Sequence, residues 1–369
     1  MSLQFFLKKI ISSLLKSFLS VPEMVLKSIG TPKKVLIVRQ HNQFGDLLAS
    51  VSLFRAVKET FPHSHLTLIA SRENYFAVLK NECIDELFIF DKKKLWNIRY
   101  LSELKKTLRR NYDLAIVPAT VAISATSCLL ARLSDAKIKI GPKQLNGKTN
   151  LYAYVFHHQI NLDWRKYPDA HVSDFILDIV RPFGIKTKNF NPGISFDNID
   201  LKTANEFIAS FLPQNFELLI GLHIGAGKPQ NRWPLKNFVE LIERIKSIYN
   251  IKLYFTGSNA DFAEIEYMKN YCNSECGYFL NRTVPQLAAL ISRSNFFITN
   301  DTGVMHVAGT TSTPQISIFG PTNPFNWAPV GAAKYFIRKS EIISDVSVDD
   351  VFNLFQYILE KHAGTNEKK

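Results

Sequence analysis

The chain has 369 residues, enough for two domains of ordinary size, and its 46% hydrophobic content is sufficient for their cores. Four scattered cysteines argue against a disulfide-stapled fold, and Cys272 and Cys276 have no second Cys or His pair nearby, so no metal site is expected. The formal net charge of +13 is concentrated in residues 1–185, which hold 27 Lys and Arg against 15 Asp and Glu, so the first half is expected to meet an anionic partner.

Apolar residues recur at helical spacing from Leu3 to Leu19, with Lys and Ser on the opposite face. Lysines interrupt the apolar run too often for a membrane span, and no small-residue cleavage site follows it. The pattern predicts an amphipathic helix within residues 1–30 that lies in the membrane interface through residues 3–19. The alternative is a helix packed against the protein body.

Strand and helix patterns alternate after the break at Gly30-Thr31-Pro32. The predicted strands cover residues 35–38, 66–70, 86–90 and 114–118, and the predicted helices cover residues 47–61, 75–80 and 96–110. Such alternation indicates a parallel sheet with helices on both faces. Residues 31–188 are therefore predicted to form a first Rossmann-like domain, and the irregular stretch 189–193 is predicted to be a linker.

A second alternating series follows the linker. Its predicted strands cover residues 218–223, 251–256, 296–299 and 315–319, and its predicted helices cover residues 201–211, 235–249, 261–271, 284–293 and 304–310. Residues 189–345 are predicted to form a second Rossmann-like domain, and residues 346–369 a C-terminal helix (349–362) with a disordered tail from Gly364. The predicted fold is α/β, with two doubly wound domains facing a cleft, plus the N-terminal amphipathic helix.

The segment 297–324 carries the clearest ligand-binding pattern. A strand ends at Asn300, and the turn Asp301-Thr302-Gly303 leads into a short helix. Unpaired N–H groups and the helix dipole favour an anion at such a turn, and a glycine lets the ligand approach the backbone closely. The loop Gly225-Ala226-Gly227 also follows a strand, and Lys228 and Arg232 place positive charge beside it.

Three motifs together resemble glycosyltransferase family 9, the ADP-heptose:lipopolysaccharide heptosyltransferases. They are Val35-Leu36-Ile37-Val38-Arg39 with Phe44-Gly45-Asp46, then His223-Ile224-Gly225-Ala226-Gly227 with Arg232-Trp233-Pro234, and finally Asn300-Asp301-Thr302-Gly303-Val304-Met305-His306 with Phe319-Gly320-Pro321-Thr322. They occur in order and cover about residues 33–335. The resemblance implies a GT-B fold and an inverting, metal-independent sugar transfer without a cofactor, with an ADP-sugar as the expected donor.

The resemblance places the proposed catalytic base at Asp46, in the loop beyond the first strand where open α/β sheets bind ligands. The alternative is that Asp46 only caps a helix starting at Leu47. The expected contacts of the donor nucleotide and its phosphates are Gly225, Ala226, Gly227, Lys228, Arg232, Asp261, Asp301, Thr302, Gly303 and His306. Within this set Asp261 is expected near the ribose, and Asp301 is expected to order its turn rather than touch phosphate.

One position departs from the family pattern. Many members have a lysine immediately before the Arg/His-Trp-Pro sequence, whereas this chain has Asn231. If that lysine neutralises the leaving group, Lys228 or Arg232 must replace it, or activity falls. Trp233 is expected to pack beneath the loop.

The basic first half is interpreted as the acceptor side, with Arg39, Gly45 and Arg72 as contacts of an anionic glycolipid. The enzyme is expected in the cytoplasm, peripheral on the inner face of the bacterial inner membrane, and no nucleic-acid-binding motif is present. Two other functions fit the architecture: a sugar-nucleotide epimerase, and a catalytically inactive glycan-binding homologue. The sequence does not fix the sugar, the nucleotide, the acceptor linkage or the oligomeric state.

Overall fold

The structure is a computed structural model that describes residues 13, 15–24, 28–40, 43–211, 216–272 and 275–366. The chain divides into two compact units, Met1–Pro192 and Gly193–Lys369. The division lies four residues after the predicted boundary, within the irregular stretch that follows the first series of strands.

The first unit contains a seven-stranded sheet in the order β3-β2-β1-β4-β5-β6, with β7 also paired to β5. All pairs are parallel except β5 with β6. The strands are β1 Lys34–Arg39, β2 His65–Ser71, β3 Glu86–Phe90, β4 Leu114–Ile116, β5 Ile138–Leu145, β6 Lys148–Thr149 and β7 His158–Leu162. The α-helices are α1 Phe44–Ala49, α2 Val51–Thr60, α3 Ile98–Leu108, α4 Ala125–Leu133 and α5 Val172–Phe175.

The four strands predicted for this unit are confirmed. Strands β1, β2 and β4 are short apolar runs buried in the parallel sheet, whereas the edge strand β3 is only partly buried. The prediction of one helix over residues 47–61 was wrong: the segment forms α1 and α2, separated at Ser50. The sequence pattern did not reveal β5, whose lysines and Gly141-Pro142 interrupt any apolar run. A Cβ at Gly141 would lie 2.3 Å from ring atoms of Phe156, so the strand and its neighbouring turn pack too closely there for any other residue.

The predicted amphipathic helix lies mostly outside the described residues. Residues 15–19 are helical, and Leu19 packs against the buried cluster of the first unit. Beyond the helix the backbone is fastened to the same unit, since Val21 N–H donates to the Tyr154 carbonyl (3.0 Å) and Met24 N–H to the His157 carbonyl (2.7 Å). The described end of this segment is therefore docked on the protein body, while the interfacial role of residues 3–19 stays a prediction.

The second unit contains a six-stranded, fully parallel sheet in the order β10-β9-β8-β11-β12-β13. The strands are β8 Leu218–His223, β9 Ile251–Gly257, β10 Cys276–Leu280, β11 Phe296–Asn300, β12 Gln315–Ile318 and β13 Lys334–Ile337. The α-helices are α6 Asn198–Phe211, α7 Leu235–Lys246, α8 Phe262–Tyr271, α9 Val284–Ser292, α10 Gly303–Gly309, α11 Pro324–Trp327 and α12 Val348–Asn366.

The last helix is longer than predicted. It runs through Asn366, so the disordered tail expected from Gly364 is absent from residues 364–366, and residues 367–369 lie outside the described part of the chain. Within the described ranges no helix is both long enough and apolar enough to cross a bilayer.

Each sheet reverses its strand order once. In the first unit the order turns outward from the pair β1 and β4, and in the second from the pair β8 and β11. At such a point the loops leaving two neighbouring parallel strands run in opposite directions and open a crevice at the carboxyl ends of the strands. Asp46 follows β1, the Gly225 loop follows β8, and the Asp301 turn follows β11, so three of the predicted site segments lie at these two switch points.

Candidate active site

Asp46 lies at the switch point of the first unit and is 1% exposed. Its Oδ1 accepts a hydrogen bond from the Thr120 hydroxyl at 2.7 Å and lies 3.5 Å from Nη2 of Arg39. Thr120 follows β4, the strand beside β1, so the topology of the sheet brings these three residues together. The helix-cap interpretation of Asp46 was wrong, because α1 begins at Phe44 and places Asp46 in its first turn.

Arg39, at the end of β1, is 2% exposed. Its Nη2 donates to the Thr120 hydroxyl at 2.6 Å, and its Nη1 donates to the Pro118 carbonyl at 3.3 Å. Burial lowers the pKa of the guanidinium, and the neighbouring Asp46 carboxylate raises it. Arginine stays charged in proteins, so a buried cation stands beside Asp46 and favours its ionised form.

The other two predicted acceptor contacts are Gly45 and Arg72. Gly45 sits in the first turn of α1. Arg72 follows β2 with 58% of its side chain exposed, and its Nη1 pairs with Asp91 at 2.9 Å. Arg39, by contrast, directs its hydrogen bonds into the protein. The acceptor roles of all three residues stay predictions, and the buried geometry of Arg39 suits the positioning of Asp46 better than contact with a glycolipid.

Asn300, the last residue of β11, fastens the two loops of the second switch point. Its Nδ2 donates to the Ile224 carbonyl at 2.8 Å, and its Oδ1 accepts from the Trp233 backbone N–H at 3.1 Å. Trp233 is buried as predicted, and its Nε1 donates to the Val346 carbonyl at 2.7 Å. The loop after β8 therefore has a fixed position relative to the turn after β11.

Asn231, the residue that departs from the family pattern, contacts this turn directly. Its Nδ2 donates to Oδ2 of Asp301 at 2.7 Å, and the side chain is nearly buried. Burial raises the pKa of the Asp301 carboxyl, although a hydrogen bond from Thr322 and the charge of Lys228 act in the opposite direction. Asp301 thus accepts a hydrogen bond from Asn231, which connects its turn to the loop after β8, and its role in ordering the turn stays a prediction.

Arg232 and Lys228 are not equivalent. Arg232 pairs through Nη1 with the buried carboxylate of Glu264 and donates from Nε to the Ala226 carbonyl at 2.9 Å. Its charge is therefore balanced within the loop. Lys228 is exposed and near enough to Asp301 to act on the pKa of that carboxyl. Of the two cations, Lys228 is the better placed to neutralise a phosphate.

Asp261 holds the turn after β9. Its Oδ2 accepts from the backbone N–H of Ser258 at 2.8 Å and from the Ser258 hydroxyl at 3.0 Å, while the Ser258 hydroxyl caps the turn in return. A Cβ at Gly225 would lie 2.0 Å from Oδ1 of Asp261, so only glycine fits beside this cap. The structure gives Asp261 a structural role, and its predicted contact with ribose stays a prediction.

The turn Asp301-Thr302-Gly303 and His306 are close together on the chain. Thr302 precedes α10 in extended backbone, and its side chain makes no capping hydrogen bond. His306 is half-buried, and its ring packs edge-on against Trp327 with centroids 6.3 Å apart. The described residues include no cluster of three or more His, Cys, Asp or Glu side chains that could hold a metal ion.

Comparison with known proteins identifies the family. The family described as "Glycosyltransferase family 9 (heptosyltransferase)" matches residues 101–350, more than half of the chain. The chain belongs to glycosyltransferase family 9. It is therefore an enzyme of the glycosyltransferase class, and its two Rossmann-like units are those of the GT-B fold.

Relatives of known name agree with this family assignment. The chain is 25% identical to the "Lipopolysaccharide core heptosyltransferase OpsX" of Haemophilus influenzae over 301 residues, 81% of this chain and 82% of that protein. It resembles the crystal structure of a family 9 glycosyltransferase from Veillonella parvula (TM-score 0.76, 22% identity, 92% and 99% of the two chains). It also resembles the E. coli ADP-heptose lps heptosyltransferase II (TM-score 0.72, 18% identity, 89% and 99%).

Three residues of the candidate site were not predicted from the sequence. Thr120 donates a hydrogen bond to Asp46, Asn300 fastens the two loops of the second unit, and Glu264 pairs with Arg232. Thr120 lies 74 residues from Asp46, Asn300 lies 67 residues from Trp233, and Glu264 lies 32 residues from Arg232, so no local sequence pattern reports these contacts. Asn300 alone had a usable signal, since it stands in the third motif, directly before the Asp301 turn.

Proposed function

We propose that this enzyme transfers a heptose from an ADP-heptose donor to a lipopolysaccharide-core acceptor, with inversion at the anomeric carbon and without a metal ion. The observation that carries the proposal is the buried carboxylate of Asp46, fixed by Thr120 and Arg39 at the carboxyl edge of the first sheet. The sugar and acceptor are suggested by the named relatives, whose aligned regions span about four fifths of this chain.

Asp46 would act as the general base. As the acceptor oxygen bonds to the anomeric carbon, its proton passes to the Asp46 carboxylate, and the bond from that carbon to the diphosphate breaks. The Arg39 guanidinium, 3.5 Å away, would stabilise negative charge on the carboxylate, and the Thr120 hydroxyl would fix the orientation of Oδ1. Asp46 is nearly buried, so only an acceptor hydroxyl that reaches the end of β1 could deliver its proton.

The departing ADP gains negative charge, which the second unit would stabilise. The Gly225-Ala226-Gly227 loop and the Thr302-Gly303 turn offer backbone close to the phosphates, with Lys228 as the exposed cation. The hydrogen bond from Asn231 favours a definite orientation of Asp301 and so of the turn. His306 would contribute a ring N–H from one helical turn further along.

The enzyme would work on the inner face of the inner membrane, since its proposed acceptor is a glycolipid. Phe18 is 83% exposed on the described part of the N-terminal helix, while residues 19–24 are fastened to the first unit. A chain that begins at Ser13 keeps these fastening contacts and removes most of the predicted amphipathic face. We expect it to fold normally and to bind vesicles more weakly than the full chain.

The test is transfer of radiolabelled heptose from ADP-heptose to a purified heptose-deficient core glycolipid, in the presence and absence of EDTA. We expect labelled glycolipid in both conditions. Asp46→Asn should lower the rate by about 10²- to 10⁴-fold, the usual range for loss of a general base. Asp85→Asn, which alters a carboxylate paired with Lys58 elsewhere in the same unit, is the matched control and should retain the rate.

Three outcomes would contradict the proposal. Labelled sugar that isomerises without transfer would indicate an epimerase. Binding of the glycolipid without any transfer would indicate an inactive homologue. An Asp46→Asn enzyme that folds, binds ADP and transfers heptose at the original rate would remove Asp46 from the role of base.

A further inference from the structure

An eight-residue stretch of the first unit, residues 92–99, is exposed along its whole length. We define the Trp96 patch as this stretch together with Leu101, the next exposed apolar side chain of α3. Trp96 is 92% exposed, the highest value among the large apolar side chains described, and Ile98 is 83% exposed. The patch lacks acidic residues and carries four cations, which are Lys92, Lys93, Lys94 and Arg99.

We propose that the Trp96 patch is a second membrane contact, in which Trp96 and Ile98 enter the interface of an anionic phospholipid surface and the flanking cations bind its headgroups. The inference deepens the proposed function, because it assigns the surface by which the enzyme would reach a glycolipid acceptor. An amphipathic indole beside aliphatic side chains and lysines is the composition that favours the boundary between headgroups and acyl chains.

The shape of the patch is built into the fold. Asp91 caps the Lys92–Lys94 turn by accepting from the Lys93 backbone N–H at 2.9 Å, and the Asn97 side chain caps α3 by accepting from the Tyr100 N–H at 3.1 Å. Helix α3 turns Tyr100, Leu104 and Leu108 into the unit. Ile98 and Leu101 lie three residues apart on its outer side, next to Trp96.

The patch shares one face of the sheet with the N-terminal segment. Leu104 and Leu108 of α3 belong to the same buried cluster as residues of α4, and Leu19 packs against that cluster. Arg132 of α4 fastens the segment by donating from Nε to the Leu19 carbonyl at 2.6 Å. The described end of the N-terminal segment and helix α3, which carries Ile98 and Leu101, therefore pack against one buried cluster of the first unit.

The patch is also connected to a predicted acceptor contact. Asp91, which caps the lysine turn, accepts from Nη1 of Arg72 at 2.9 Å through its other oxygen. A glycolipid held at the patch would present its anionic core beside Arg72. A second copy of the chain is a poorer occupant, because a symmetric contact would place the three adjacent lysines of one copy near those of the other.

The test measures full-chain binding to vesicles of phosphatidylethanolamine with phosphatidylglycerol, and to phosphatidylcholine vesicles. We expect the chain to prefer the anionic vesicles and to bind them more weakly with added salt. Lipids brominated near the headgroup should quench the emission of Trp96. This quenching is measured as the difference between the native chain and Trp96→Phe. Replacing Lys92, Lys93 and Lys94 by Gln should weaken binding by about tenfold or more. The control Lys202→Gln changes an exposed lysine of the second unit and should have no effect.

The variant Trp96→Ser with Ile98→Ser separates this inference from the proposed function. It should lose vesicle affinity but transfer heptose normally to a deacylated, water-soluble acceptor. The control Ile199→Ser with Tyr271→Ser should keep both its vesicle affinity and its transfer to the soluble acceptor. Three results would each overturn the inference. The first is vesicle binding without quenching of Trp96, the second is unchanged vesicle affinity after the lysine replacements, and the third is a patch variant that alters only self-association. Quenching at Trp96 in an enzyme that transfers no heptose would instead overturn the proposed function alone.

Discussion

The Thr120 hydroxyl donates its only hydrogen to Oδ1 of Asp46 at 2.7 Å, and the direction of that bond is set by Arg39. Arginine can only donate, so the 2.6 Å contact from its Nη2 makes the Thr120 oxygen an acceptor and leaves the hydrogen for Asp46. A threonine that follows β4 thus orients a carboxylate that follows β1. The pairing of β4 with β1 brings the two residues together, and the contact can be tested by itself.

Thr120→Val removes the hydroxyl while keeping the shape of the side chain. We expect the kcat of transfer to fall about tenfold or more with little change in the KM for the donor, because the carboxylate loses its fixed orientation. Stability should fall by about 1–3 kcal/mol, since Arg39 loses a buried acceptor. Thr120→Ser restores the hydroxyl and should recover most of the activity. Equal kinetics for the Val and Ser variants would show that the hydrogen bond does not contribute.

The sequence predicts the central strands of both units well, because parallel strands buried on both faces read as short apolar runs. It misses β5, where Gly141 and Pro142 replace part of such a run, and also β6, β7 and β13, and it starts the first helix at Leu47 rather than Phe44. The candidate site likewise has residues that local sequence motifs predict and residues that they do not. The motifs locate Asp46 and the Asp301 turn, whereas Thr120 lies 74 residues from Asp46 and becomes its neighbour only when β4 pairs with β1.

Asn231 is a neutral hydrogen-bond donor to Asp301, so charged substitutions at this position change the charge around that carboxyl group. Asn231→Asp keeps the shape of the side chain but sets a second carboxyl group where Nδ2 now lies, 2.7 Å from Oδ2 of Asp301. We expect ADP to bind about tenfold more weakly or worse, because like charges in a nearly buried site oppose both the ordered turn and an incoming phosphate. Titration calorimetry with ADP measures the effect.

Asn231→Lys is the opposite change and adds a cation beside Asp301. The added cation should strengthen ADP binding relative to the native chain, and the three affinities should rank Lys, Asn, Asp. If the native chain and Asn231→Asp bind ADP with the same affinity, Asn231 does not contribute to the donor site.

Gly225 and Gly227 lie in one loop but differ in the space around them. A Cβ at Gly225 would lie 2.0 Å from Oδ1 of Asp261, whereas a Cβ at Gly227 would meet nothing within 4 Å. Gly225→Ala should therefore lower the free energy of unfolding by about 1–3 kcal/mol, because the Asp261 cap must shift. Gly227→Ala should leave stability unchanged and weaken ADP binding if the loop contacts phosphate. Urea unfolding and calorimetry on both variants distinguish these effects, and a Gly227→Ala chain with native ADP affinity would remove that residue from the phosphate site.

Lys334, the first residue of β13, carries an amine enclosed by backbone. Its Nζ donates to the Ala308 carbonyl at 2.8 Å, near the end of α10, and to the Thr313 carbonyl at 2.7 Å. Burial lowers its pKa from 10.5 to about 7. A neutral amine retains two N–H bonds, enough for both carbonyls, so the contacts survive the loss of the proton.

The lowered pKa makes stability depend on pH. Above a pH of about 7 the folded chain releases the Lys334 proton while the unfolded chain keeps it, so the free energy of unfolding should rise toward pH 10.5 by at most about 1.4 kcal/mol per pH unit. Lys334→Met should remove this dependence of stability on pH, whatever its effect on stability at a single pH. The control Lys339→Met changes a half-exposed lysine paired with Asp350 and should retain the dependence. Urea unfolding from about pH 7 to about pH 9 measures the slope in all three chains. Parallel pH profiles for the native and Lys334→Met proteins would show that Lys334 keeps its proton in the folded enzyme, with both carbonyls then accepting from an ammonium group.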